Sequence, residues 1–252
     1  MAGPERAIVL SYKAISGGGH PLDMDFLGYF GGHLDDKPAA MHMQDMNRPE
    51  KHGKIAKICV YCGSGAGTDP AYVAAAIEFG ALMAKSGIGL VYGGGGDGMM
   101  GAVARAVLDN DGTVTGIIPE FLTRREHALR GAQELIVTKD MHERKRLMFE
   151  LADAFVAMPG GVGTLEELVE QLTWAQLGRH KKPILIANIK GFWQPLCALL
   201  DHMTALNFIR PGMDFELLVA DEVADILPKL WKAMETIPEK AKDMPAAVAD
   251  RL

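Results

Sequence analysis

Three glycine-rich loops, each set between a short apolar run and a helical stretch, constrain this chain more than any other feature. They are Gly63-Ser64-Gly65, Gly93-Gly94-Gly95-Gly96 and Gly160-Gly161-Val162-Gly163. The runs before them are Lys57 to Cys62, Ile88 to Tyr92 and Ala154 to Met158. They are short, continuous and apolar, which predicts strands covered on both faces. Further runs lie at Thr113 to Ile118, Glu134 to Thr138 and Pro183 to Asn188, with a short one at Glu216 to Val219. Helical stretches alternate with them. Asp69-Pro70 reads as an N-cap followed by proline at the first helical position, and Gly87 closes that helix. Helices are also expected over Met99 to Leu108, Asp140 to Leu151, Gly163 to Leu177 and Phe192 to Asn207. A last helix is expected to be capped by Asp221, with a kink at Pro228. Such alternation predicts an α/β fold, a Rossmann-like doubly wound parallel sheet. Its ligands bind at the carboxyl ends of the strands, so the three glycine loops share one rim.

The chain has 252 residues, enough for one such domain. Residues 1–54 show no sustained hydrophobic period and read as a flexible extension. The domain is expected over residues 55–236, followed by a polar tail at 237–252. Net charge is −6, and aromatics make up only 7% of residues. Nucleic-acid backbones are poor partners for such a chain. No apolar run reaches the ~20 residues of a membrane helix, and the first residues lack a signal-peptide pattern. Three cysteines do not make a secreted disulfide framework. A cytoplasmic protein with no membrane partner is expected.

Candidate chemistry concentrates in Met158-Pro159-Gly160-Gly161-Val162-Gly163-Thr164-Leu165-Glu166-Glu167. A strand, a glycine loop and a helix start make an anion cradle from free N–H groups and the helix dipole. Thr164 adds a hydroxyl, and Glu166 and Glu167 put carboxylates in the first turn. The second loop contains Gly96-x-Gly98-x-x-Gly101, with Glu120 about twenty residues on, which is the dinucleotide fingerprint taken literally; the same glycines also suit a tight strand–helix crossing. The third element, Met141-His142-Glu143-Arg144-Lys145-Arg146, brings charge to the same rim. On a helix Arg144 and Lys145 diverge by about 100°. Cys59-x-x-Cys62 lies inside a strand, where residues three apart point to opposite faces, so core cysteines are expected rather than a metal or redox site. Cys197 reads as helix core. His127, His142, His180 and His202 have no ligand spacing, and neither a metal nor a cofactor is expected.

Taken together, residues 57 to about 235 resemble the Lonely Guy (LOG) family of phosphoribohydrolases. Pro159-Gly160-Gly161-Val162-Gly163-Thr164-Leu165-Glu166-Glu167 is similar to that family's P-G-G-x-G-T-x-x-E signature, and Met141-His142-Glu143-Arg144-Lys145 to its M-H-x-R-K stretch. Cys62-Gly63-Ser64, Tyr92-Gly93-Gly94-Gly95, Gly98-Met99-Met100-Gly101, Gly116-Ile117-Ile118-Pro119 and Thr173-Trp174-Ala175-Gln176-Leu177-Gly178 match as well. Gly65 departs from the pattern, replacing a second serine found in many relatives. The quadruple glycine and Met99 vary a more usual G-G-G-x-x-G-L-M-G, and the first 54 residues match nothing.

The resemblance implies a hydrolase that cleaves the N-glycosidic bond of a purine nucleoside 5′-monophosphate, of cytokinin type or AMP, to base and ribose 5-phosphate. It implies that Glu167 and Arg144 are the catalytic pair. It implies that Glu126, Arg144, Lys145, Gly161, Val162, Gly163, Thr164, Leu165, Glu166, Glu167 and Thr173 contact the nucleotide. It also implies a homodimer; Trp174, Leu177 and Phe192 are candidates for its apolar interface and equally for the core. The family is often labelled lysine decarboxylase. That chemistry needs a pyridoxal Schiff-base lysine, and no lysine here is singled out for it. Two rival classes stand beside the hydrolase: a non-catalytic nucleotide or molybdenum-cofactor carrier on the same scaffold, and an NAD-dependent oxidoreductase using Gly96 to Gly101.

Overall fold

The computed structural model describes residues 7–9, 55–123, 134–209 and 216–237. In chain order its strands are β1 (Ala7–Val9), β2 (Lys57–Tyr61), β3 (Gly89–Tyr92), β4 (Val114–Pro119), β5 (Glu134–Thr138), β6 (Ala154–Ala157), β7 (Ile184–Ala187) and β8 (Glu216–Ala220). The helices are α1 (Pro70–Lys85), α2 (Gly98–Leu108), α3 (Met141–Leu151), α4 (Val162–Gln176), α5 (Gln194–Ala205) and α6 (Ile226–Thr236). The sheet order is β1-β8-β7-β6-β2-β3-β4-β5. β2 to β8 are parallel to their neighbours, whereas β1 runs antiparallel to β8, with Ala7 opposite Leu218.

From β2 the chain winds outward through β3, β4 and β5. It then crosses back to place β6 on the other side of β2. The connections after β2 and β6 therefore leave in opposite senses, and the crevice between them is where this topology binds ligands. That seam is stitched: Met158 N–H donates to Tyr61 O at 2.8 Å, and Gly63 N–H to Pro159 O at 3.1 Å. At its other end, Asp153 Oδ2 accepts from the N–H groups of Ala56 and Lys57, at 2.7 and 2.9 Å.

Alternation along the strands sorts the core into two layers. Ile58, Val60 and Cys62 pack with α1, α2 and α6. Cys59 and Tyr61 pack with α3, α4 and α5. The two cysteines thus stand in opposite layers, as the strand period requires. Burial pushes both thiols well above the ordinary range, so neither is a ready thiolate. Cys197 lies in the second layer.

Several local expectations hold. Asp69 Oδ1 accepts from Ala71 N–H at 2.9 Å, and Pro70 opens α1. A second cap was not among the expectations: Asp140 Oδ1 accepts from Glu143 N–H at 2.9 Å while Glu143 Oε2 accepts from Lys139 N–H at 2.9 Å, and the pair starts α3. Other expectations do not hold. Asp221 caps no helix; its Oδ1 accepts from Asn188 Nδ2 at 2.8 Å, joining the ends of β7 and β8. α6 begins five residues later, after a short 3₁₀ turn, and Pro228 falls in its first turn, where a missing N–H breaks no intrahelical bond. β5 is covered less fully than the inner strands, because it is the outer edge and leaves Leu135 and Val137 exposed. The antiparallel edge strand β1 arises within the stretch expected to be a flexible extension. The rest of residues 1–54, and residues 238–252, lie outside the described residues.

Candidate active site

The start of α4 is open to an anion. Gly161 occupies the N-cap position with extended backbone and no side-chain cap. The first helical bond runs from Leu165 N–H to Gly161 O at 3.1 Å. The N–H groups of Val162, Gly163 and Thr164 therefore find no acceptor among the described residues, and they carry the positive end of the helix dipole. The three glycines have different reasons. A Cβ at 161 or 163 meets nothing within 4 Å, so those positions leave an approach clear. A Cβ at 160 collides with the Thr164 side chain and comes to 2.9 Å from Gly63 N, so Gly160 is there for packing. Thr164 is buried behind the cradle, while Val162 and Leu165 are exposed on its outer side.

Beside the cradle stands a buried ion pair. Arg144, one turn into α3, donates from Nη1 to Glu167 Oε1 at 2.8 Å and from Nε to the Ile117 carbonyl at 3.1 Å. Only 7% of Arg144 and 8% of Glu167 is exposed. Burial pushes the Glu167 carboxyl up to about 7, against the opposing pull of the Arg144 charge. The group is thus poised to hold or release a proton near neutrality, the property required of a general acid–base. Glu167 Oε2 makes no hydrogen bond among the described residues. A pair this desolvated is weak evidence of a stabilising role and stronger evidence of a working one.

Lys145 diverges as helical geometry requires and meets different carboxylates. Its Nζ lies 2.6 Å from Glu166 Oε1 and 2.9 Å from Glu170 Oε1. Burial pulls its pKa down, but the hydrogen bonds to Glu166 and Glu170 outweigh it, and the ammonium is held above its ordinary value. Lys145 and Glu166 thus flank the cradle as a mutual pair. Thr173 is six residues beyond Glu167, roughly 9 Å along the helix axis. Its hydroxyl donates to Val169 O at 2.8 Å on the exposed side of α4. The fold of one chain does not bring Thr173 to Glu167. Glu126 lies outside the described residues.

The rival loop is occupied by the protein itself. Met99 N–H donates to Gly65 O at 3.3 Å and Met100 N–H to Gly63 O at 3.2 Å. A Cβ at Gly98 lands on Ser64 O, and one at Gly101 on Gly96 O. Arg105 Nη1 donates to Gly96 O at 2.8 Å. These glycines let the loop after β2 pack against the start of α2, and the N–H groups a dinucleotide phosphate would need are already taken. Two residues expected at an apolar interface are engaged within the chain. Trp174 stands edge-on to Phe149 under the Arg179 guanidinium, and Phe192 packs against Tyr72 and Trp193. Leu177 is 64% exposed. Residue-by-residue reading missed the Ile117 carbonyl as an anchor for Arg144. Its only signal was the match of Gly116-Ile117-Ile118-Pro119, which does not announce a backbone acceptor.

A family model described as "Possible lysine decarboxylase" matches residues 100–230. The cytokinin riboside 5′-monophosphate phosphoribohydrolase LOG of Oryza sativa subsp. japonica is 43% identical over 190 residues, covering 75% of this chain and 77% of that protein. LOG1 of Arabidopsis thaliana, which carries the same enzyme name, is 41% identical over 181 residues, covering 72% and 85%. Among solved structures, the molybdenum cofactor binding protein of Rippkaea orientalis superposes with a TM-score of 0.54 at 23% identity, covering 73% of this chain and 99% of its own. The molybdenum cofactor carrier protein of Chlamydomonas reinhardtii gives 0.55 at 22%, covering 73% and 100%. At such identities the structural likeness speaks to the fold alone.

Proposed function

This chain belongs to the LOG family of phosphoribohydrolases, and we propose on that premise that it hydrolyses the N-glycosidic bond of a purine nucleoside 5′-monophosphate, releasing free base and ribose 5-phosphate. The observation that carries the reading is Glu167, buried, paired with Arg144 and placed one turn from an open helix start. The 5′-phosphate is held by the N–H groups of Val162, Gly163 and Thr164, with the Thr164 hydroxyl as a further donor. That anchorage sets the ribose beside Glu167, so that binding energy at the phosphate orients the reacting carbon. Cleavage passes through an oxocarbenium-like state with positive charge on the ribose. The C1′–N bond breaks with its electron pair on the base, which gains a proton from solvent, while Glu167 stabilises the ribose charge and takes a proton from the attacking water as its hydroxyl joins C1′. Arg144 fixes one carboxylate oxygen and leaves the other to face the substrate. Lys145 and Glu166 line the flank and hold each other's charge.

Lysine decarboxylation is the poorer reading, because a Schiff-base lysine must be free and readily deprotonated. Lys145 is tied to two carboxylates with its pKa raised. Lys182 and Lys229 donate to the Phe149 and Val219 carbonyls. A carrier needs the anion cradle but has no use for a titrating acid beside it.

The oligomer is a homodimer in this reading. Val162, Leu165 and Val169 on α4 and Leu177 at its C-cap are all exposed, and their spacing gathers them on one side of the helix. Thr173 shares that side, which puts its contact with nucleotide across the interface. Within the described residues no helix is long and apolar enough to cross a membrane, and the cytoplasm is the proposed location.

The test incubates purified protein with AMP and, separately, with isopentenyladenosine monophosphate, and follows free base by chromatography. Base release by wild type and its near loss in Glu167→Gln supports the hydrolase. The faster substrate identifies the base. Tight nucleotide binding with no release from either compound overturns the reading in favour of a carrier.

A further inference from the structure

Gly93 follows Tyr92 at the carboxyl end of β3, and it adjoins the Arg144 guanidinium. A Cβ built at position 93 lands on Arg144 Nη2, with Arg144 Cζ at 3.6 Å and Met100 Sδ at 3.1 Å. The backbone at 93 is outside the left-handed region, so conformation does not require glycine there. Space does. Arg144 is meanwhile held from two other directions, by the Ile117 carbonyl on Nε and by Glu167 on Nη1. Nη2 is left without an acceptor among the described residues, and its two donors stay available to a substrate oxygen.

From these contacts we propose that Gly93 is a positioning residue: its missing side chain leaves the slot in which the Arg144 guanidinium stands while it holds Glu167. The inference rests on Glu167 being the acting carboxylate. It adds the residue that follows β3 to a site otherwise built from α3, α4 and the Ile117 carbonyl of β4. A methyl group at 93 displaces the guanidinium from the slot, and since Nε and Nη1 belong to the same rigid plane, both remaining bonds suffer. The groups that face Glu167 are Arg144 and Lys145 from α3, Glu166 on its own helix, Cys59 and Tyr61 from β2, and Cys62 just beyond. Arg144 is the cation bonded to it. Moving Arg144 away leaves burial less opposed and raises the carboxyl's midpoint.

The experiment compares wild type, Gly93→Ala, Arg144→Lys and the double variant. Lysine at 144 has no Nη2, so it vacates the slot. Two readouts are taken: the titration midpoint of the Glu167 carboxyl by carbon-13 NMR, identified by its absence in Glu167→Gln, and base release. Gly93→Ala is expected to raise the midpoint by about one pH unit and to lower kcat at least tenfold. In the Arg144→Lys background the same change is expected to cost less than threefold. An unmoved midpoint overturns the proposal, and so does a Gly93→Ala effect that multiplies in full onto Arg144→Lys. If Gly93→Ala alone does not fold, the double variant must recover the fold; an unfolded double variant also overturns it. The midpoint needs no turnover. A wild type that releases no base therefore sinks the hydrolase reading while leaving the coupling of Gly93, Arg144 and Glu167 open to measurement.

Discussion

Arg144 Nη1 and Glu167 Oε1 lie 2.8 Å apart in a pair drawn from two different helices and almost wholly removed from solvent. Neither residue is placed by its own helix alone. Arg144 reaches the pair because Asp140 starts α3 where it does, and Glu167 because Gly161 starts α4 where it does.

Substituting Glu167 by Gln keeps an oxygen to accept from Arg144 and removes the titrating group. Turnover is expected to fall by roughly 10²–10⁴, the usual share of a general acid–base. Nucleotide affinity is expected to change little. Chromatography of the products and calorimetric titration of the nucleotide check the two halves separately.

The raised pKa of Glu167 predicts a pH dependence of stability with a definite sign. The folded state binds this proton more tightly than the unfolded chain, so the stability it contributes is lost as pH rises from 4.5 towards about 7. Glu167→Gln does not titrate, and its melting temperature relative to wild type is expected to climb through that window and level off above it. Activity moves the other way: a carboxylate that must be ionised gives an acid limb near 7 in kcat/KM. Thermal melts and rate profiles from pH 4.5 to 8.5 measure both.

His180 titrates in the opposite sense. It is buried, bonded through Nε2 to the Gln171 carbonyl at 3.2 Å and packed between Phe149 and Phe155, and burial pulls its pKa down to about 4. The unfolded chain takes up the proton first. Stability is therefore expected to fall as pH drops from 6.5 to about 4, by roughly 3 kcal/mol at the limit. That slope should be missing from His180→Asn when denaturant midpoints are compared across the window.

Lys145→Met leaves Glu166 and Glu170 without their shared cation, and Glu170 Oε2 is already buried without a partner. Destabilisation of about 1–3 kcal/mol is expected at pH 8. Urea unfolding of the variant beside wild type tests this.

A glutamate in place of Val169 on α4, or of Leu177 at its C-cap, puts charge on the same exposed side without touching the Arg144–Glu167 pair. Wild type is expected to elute as a dimer and each variant as a monomer, with helix content unchanged. Light scattering coupled to size exclusion decides it.

How much of this was legible beforehand depends on the distance over which each feature is determined. The cap at Asp69 and the opposite faces of Cys59 and Cys62 follow from neighbours within a few residues, and the sequence pattern placed them. Glu167 beside an open helix start was legible for the same reason. Asp221 carries the composition of a cap, but its partner is Asn188, thirty-three residues away across two strands. Nothing local distinguishes the two uses. Gly96 to Gly101 was ambiguous because glycines that admit a phosphate and glycines that admit another loop look alike in a string. Only the carbonyls of Gly63 and Gly65 decide between them. Thr173 has the right residue type on a helix whose length separates it from Glu167 within one chain.

The placement of the cysteines makes the chain its own unfolding probe. All three are buried: Cys59 and Cys197 under α3, α4 and α5, and Cys62 on the other side of the sheet. A thiol reagent reaches Cys62 only if the α1, α2 and α6 layer lifts, and Cys59 or Cys197 only if the opposite layer does. Labelling rates resolved by peptide would therefore time the two halves of the sandwich separately, with no residue added or removed.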